Sequence, residues 1–113
     1  MQLEVRDVAD DTIKILLAGR LDVPGVDQIE TRFTALTVAS RKNSLIDLSG
    51  VSFIASMGIR MLINAARAMQ LKHTRMILFG AQELVQEVLD NVSLSDVIPI
   101  VSGEEQALQR LAQ

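Results

Sequence analysis

The chain has 113 residues, of which 49% are hydrophobic, and a formal net charge of -3, so it is expected to form one domain over residues 1–113 with enough apolar material for a core. Its charges are mixed in sign without a basic stripe, and its only aromatic type is Phe, at 33, 53 and 79, which argues against a nucleic-acid binder. With no cysteine and one histidine, neither a disulfide, a metal centre nor a resident cofactor is expected.

The alternating, charged start Met1-Gln2-Leu3-Glu4-Val5-Arg6 is neither a signal peptide nor a membrane span, and no apolar run approaches about 18 residues. The chain reads as a cytoplasmic protein with no direct membrane insertion. Residues 2–8 set Leu3, Val5 and Val8 against Glu4, Arg6 and Asp7, the pattern of a half-exposed strand. A turn at Ala9-Asp10-Asp11 leads into a second strand, Thr12 to Gly19, as its hairpin partner. Pro24 stands near a first-turn position. The helix behind it shows Val26, Ile29, Phe33 and Leu36 on one face and should run to about Ala39.

Ser44 to Leu48 is a short, buried strand that should break at Gly50. A helix then restarts near Met57, because Ile59, Leu62, Ile63, Ala66 and Met69 recur at helical spacing. Ser56 stands where an N-cap belongs, at the positive end of that helix, which suits a cap and equally a phosphate. Further on come a strand at Arg75–Phe79, a helix at Gln82–Asn91 and a strand at Val97–Val101, which Pro99 assigns to a sheet edge. Ser102 and Glu105 have the spacing of a capping box before a last helix carrying Ala107, Leu108 and Leu111. The order β-β-α-β-α-β-α-β-α predicts an α/β domain: a mixed sheet of four or five strands, with about four helices mainly on one side. Asp47 should lie near the end of a central strand, between buried Ile46 and Leu48.

A strand, a turn, a serine and a helix also describe a hydrolase nucleophile elbow, but that turn needs Gly two residues before the serine, where this chain has Ile54. The only histidine, His73, falls at the far end of the Ser56 helix, roughly 25 Å away at 1.5 Å per residue. No Walker-type loop or dinucleotide fingerprint is present, and no enzymatic activity is expected. The helix face opposite the apolar stripe, Met57, Met61, Asn64, Ala68 and Leu71, is itself apolar, with Arg60 and Arg67 nearby. Such Met-rich faces suit docking to a partner.

Three segments resemble the STAS domain family, and within it the free-standing bacterial anti-sigma factor antagonists. Gly19-Arg20-Leu21-Asp22 is similar to the family's Gly-x-Leu-Asp. Leu45-Ile46-Asp47-Leu48-Ser49-Gly50-Val51-Ser52-Phe53-Ile54 is similar to its strand and the valine-x-phenylalanine after it. Ala55-Ser56-Met57-Gly58 falls on its Asp-Ser-Ser/Thr-Gly motif. The resemblance implies a phosphorylation switch at Ser56 and a docking surface that includes Asp22, Met57, Gly58, Arg60, Met61 and Asn64. The partners it implies are an anti-sigma factor that is itself a serine kinase, bound by the unphosphorylated form, and a PP2C-type phosphatase that reverses the modification. Two positions depart from the motif, since Ala55 replaces its aspartate and Met57 its second hydroxyl. That departure keeps a second role open, as the STAS accessory subunit of a larger complex such as a lipid transporter, without control by phosphate.

Overall fold

The structure, a computed structural model, describes residues 1–113. Strands β1 (Gln2–Ala9) and β2 (Thr12–Leu21) form the expected antiparallel hairpin. Asp22 then starts α1 (Val23–Thr34), which widens into a π turn at Ala35–Ala39. Next come β3 (Asn43–Ile54), α2 (Ser56–Leu71), β4 (Met76–Phe79) and α3 (Glu83–Asn91). A 3-10 turn at Leu94–Asp96, β5 (Ile100–Val101) and α4 (Glu104–Leu111) close the chain. The sheet order is β1-β2-β3-β4-β5, and every pair after the hairpin is parallel.

Alternation along the strands divides the apolar residues between two faces. Ile13, Ile15, Leu17, Ile46, Leu48 and Leu78 meet α1, α2 and α3 in the larger core, where Phe33 and Leu62 are fully buried. Leu45, Ile77 and Phe79 face the other way and are covered by Ala107 and Leu111 of α4. The Lys14 Nζ–Glu104 Oε1 ion pair, 2.8 Å, holds the first turn of α4 to β2. At the other end the Arg75 guanidinium donates to the carbonyls of Arg110, Leu111 and Gln113. The Arg110 and Leu111 carbonyls are among those that the C-terminus of α4 leaves without intrahelical partners, and Gln113 is the last residue of the chain.

Four local expectations are corrected. The third strand does not break at Gly50: β3 runs on to Ile54, absorbing register shifts against β2 around Ala18–Gly50 and Arg20–Phe53. The last strand shrinks to Ile100–Val101, because the chain before it winds into the turn at Leu94–Asp96. It still forms the sheet edge assigned by Pro99. No capping box forms at Ser102, since Gly103 is the N-cap of α4 and takes no side-chain cap bond. Because β3 runs on to Ile54, Asp47 lies within the strand and not near its end as expected; it marks only the end of the β3–β4 ladder, at Asp47↔Phe79, and Ile46 and Leu48 beside it are fully buried.

Candidate functional site

The residues singled out from the sequence meet where two parallel strands end side by side. Leu21 of β2 pairs with Ile54 of β3, and the Ala55 N–H donates to the Leu21 carbonyl at 3.0 Å. From that point the chain enters α1 through Asp22 and α2 through Ala55. Both helices therefore begin at the same end of the sheet, beyond the C-terminal ends of β2 and β3, and their N-terminal N–H groups place positive potential there.

Asp22 is the N-cap of α1, with Oδ1 accepting from the Gly25 N–H at 2.9 Å. Its other oxygen accepts from Arg20 Nε at 3.3 Å. The Gly25 N–H is the main reason that the Asp22 carboxyl is held below the usual carboxylate range; desolvation opposes this, and Arg20 adds to it. A lowered folded-state value means that Asp22 stabilises the fold above the ordinary carboxylate pKa, and that this contribution is lost as pH falls through the lowered value. Asn caps helices about as well as Asp and does not titrate. Asp22→Asn is therefore expected to keep the neutral-pH melting temperature close to wild type and to flatten the acid limb of a melting-temperature profile below about pH 4. An unchanged acid limb would show that the Asp22 charge does not act through this cap.

Ser56 is exposed at the first position of α2. It is not the cap, which corrects the expectation from its place in the sequence. Ala55 holds the extended N-cap geometry (φ -110°, ψ 174°), its carbonyl accepts from the Gly58 and Ile59 N–H groups, and no side chain caps the helix. The Ser56 hydroxyl is thus left facing outward, next to the unsatisfied N–H groups of the first turn.

Met57, Arg60 and Asn64 continue the exposed side of α2 from Ser56, with Met57 36% exposed. Met61 and Gly58 do not belong to that surface. Met61 is only 3% exposed and packs in the larger core. Gly58 faces β2 so closely that a Cβ there would lie 2.7 Å from Leu21 Cγ and 2.8 Å from the Leu21 carbonyl oxygen. That approach sets the rotation of the helix: with residue 58 against β2, the inward set is Gly58, Met61, Leu62, Ala65 and Met69. Of the expected set, Leu62 and Met69 are buried and Ile59, Ile63 and Ala66 pack half-buried against the same core, so the inward face is turned toward Gly58 and Met61 by less than one residue's 100°.

Two residues absent from the predicted docking set lie beside the site. The Arg20 guanidinium lies 4.2 Å from the centroid of the Phe53 ring, a cation–π contact across the β2–β3 pairing. Their shared position follows from the strand register, which no local spacing in the sequence reveals. His73 sits exposed with φ 63° beyond the far end of α2, well away from Ser56. No helix of the chain is long and apolar enough to cross a membrane.

The profile of the STAS domain matches residues 4–107. The anti-sigma-B factor antagonist of Listeria monocytogenes is 26% identical over 106 residues, covering 92% of this chain and 93% of the relative. A solved anti-sigma-factor antagonist (STAS) domain protein from Planctomyces limnophilus superposes with a TM-score of 0.84 at 25% identity, over 98% of both chains. The Bacillus cell fate determinant SpoIIAA in its phosphorylated form gives a TM-score of 0.70 at 22% identity, over 96% of this chain and 98% of that one. With the profile spanning nearly the whole fold, from β1 into α4, this chain belongs to the STAS domain family.

Proposed function

We propose that this chain is an anti-sigma factor antagonist that acts by binding rather than by catalysis. In its unphosphorylated form it occupies an anti-sigma factor that is itself a serine kinase, so that the sigma factor is freed. Phosphate on Ser56 ends that complex, and a PP2C-type phosphatase restores it, all within the cytoplasm. The observation that carries this reading is the Ser56 hydroxyl, exposed at the first position of α2 and not used as a cap. Met57, Arg60 and Asn64 extend the same exposed side, and Asp22 stands at the neighbouring helix start.

The relatives support the class of partner, because the Listeria monocytogenes protein is named an anti-sigma-B factor antagonist. They also support the modification, since SpoIIAA has been solved in a phosphorylated form. A phosphoserine adds about -1.5 to -2 charge at neutral pH. At a helix N-terminus the fold tolerates that charge, so the change is felt by whatever docks there.

The test is to incubate the chain with a purified anti-sigma serine kinase and ATP and to locate phosphate by mass spectrometry. Phosphate on Ser56, with loss of the stable complex, is the expected result. A stable complex with no phosphate on Ser56 would sink the switch and leave the alternative, a STAS accessory subunit that docks without being modified.

A further inference from the structure

β3 outruns β4. Their ladder ends at Asp47↔Phe79, whereas β3 continues to Ile54 with β2 alongside. Residues 48–54 therefore have a strand on one flank only. Ser49 is already satisfied, its N–H donating to Asp47 Oδ1 and its carbonyl accepting from Gln82 Nε2. Beyond it Ser52 and Phe53 are exposed, whereas Val51 and Ile54 are buried.

α3 lies opposite that stretch. Between them is a groove of about 330 Å³, with Ser52, Phe53 and Ile54 on one wall and Leu84, Glu87 and Val88 on the other. Two of its apolar side chains are exposed, Leu84 at 71% and Phe53 at 39%, while Ile54 and Val85 at its base are buried. Leu84 belongs to neither core cluster, so the packing of this chain does not account for it. The α3 wall is also charged in one sense only. The helix carries Glu83, Glu87 and Asp90 and no Lys or Arg, and none of these carboxylates is in an ion pair.

The free flank selects an extended occupant. An added strand satisfies open backbone N–H and C=O groups, and its alternating side chains place one set in the groove and the other outward. A helix, about 10–12 Å across with its side chains, would hold its own backbone away from β3 and leave those groups unpaired. The carboxylates of α3 in turn select Lys and Arg. We propose that this groove takes an extended, basic segment of a partner protein as an added strand, its apolar side chains seated on Phe53, Leu84 and Val88 and its cations against Glu83 and Glu87. The contact is distinct from docking at Ser56 and forms in either state of that residue.

The experiment pans a phage-displayed library of random peptides, roughly ten residues long and so about twice the usual strand length, against the full chain. The most enriched peptide is then synthesised and its position mapped by NMR. Enriched sequences are expected to alternate apolar residues with Lys or Arg, to shift the amides of residues 51–54 and of α3, and to show interstrand contacts with β3. The double substitution Glu83→Lys, Glu87→Lys should weaken binding by roughly tenfold or more; both residues are exposed, so the domain should still melt cooperatively, with a small fall in melting temperature because Glu83 stands in the first turn of α3. Ser56→Asp should leave the affinity within about threefold of wild type, because a rim charge outside a contact has little effect on it. The proposal is overturned by no enrichment, by peptides that are acidic or bind as helices, by shifts elsewhere on the surface, or by equal affinity for the charge-reversed variant. A loss with Ser56→Asp as large as the charge reversal would also overturn it, by making the groove part of the Ser56 interface. Because Ser56→Asp is read separately against the anti-sigma factor, failure here leaves the proposed switch standing, and failure of the switch leaves this site standing.

Discussion

Met61→Glu is expected to cost the domain most of its stability. Met61 is 3% exposed and packs in the larger core. Removing a buried Met side chain costs about 2–5 kcal/mol through lost burial and the cavity left behind. A carboxylate in the same place adds the penalty of burying an unpaired charge, or of protonating it. Against a typical total of about 5–15 kcal/mol, the variant should melt some 20 °C lower, or not fold cooperatively at all, with each kcal/mol worth about 4–8 °C in a domain of this size. Met61→Leu conserves volume and polarity and should lose less than about 1.5 kcal/mol. Asn64→Glu, one turn further on and exposed, should change stability by no more than about 0.5 kcal/mol. Thermal melts of the three variants decide the matter. A Met61→Glu protein as stable as wild type would return residue 61 to the surface and undo the helix rotation described here.

The contrast between residues 61 and 64 marks how far the sequence could be read. α2 carries apolar residues on more than one side, among them Met57, Ile59, Met61 and Leu62, so periodicity defines a helix without fixing which stripe turns inward. That choice depends on where α2 meets β2, at Gly58 against Leu21, a tertiary contact invisible in a local window. The same holds at the start of the helix. A serine before an apolar run is a good cap by type, but the Ala55 N–H bonds to the Leu21 carbonyl, which fixes residue 55 as the cap and turns Ser56 outward. Element order and the hairpin were legible because they rest on turns and alternation within a few residues. The length of β3 was not, since its pairing with β2 carries it past Gly50. Nor was the Arg20–Phe53 contact, which joins residues on different strands.

Ser56→Asp should weaken the complex with the anti-sigma factor by on the order of a hundredfold or more, because a charge forced into a docking surface without a partner costs several kcal/mol. Ser56→Ala should bind within about threefold of wild type, since it removes one hydroxyl and adds no charge. Stability separates this from a folding defect. No side chain caps α2, so Ser56→Ala has no cap bond to lose and should stay within about 0.5 kcal/mol of wild type. Ser56→Asp adds a negative charge at the positive end of the helix and should gain about 0.3–1 kcal/mol. The variant that binds worst should therefore be at least as stable as the one that binds well. Ala55 supplies the control. It stands at the N-cap, where an aspartate would accept from the first-turn N–H groups and stabilise the helix by about 0.5–2 kcal/mol. With Ala there, those groups remain open to a phosphate on Ser56. Phosphorylation should accordingly raise the melting temperature of the wild-type chain, and raise it less in Ala55→Asp, where a carboxylate already holds the same donors and repels the phosphate. If the two chains gain equally on phosphorylation, the first turn of α2 does not hold the phosphate. If Ser56→Asp binds the anti-sigma factor as tightly as wild type, added charge at this position is not what releases the partner.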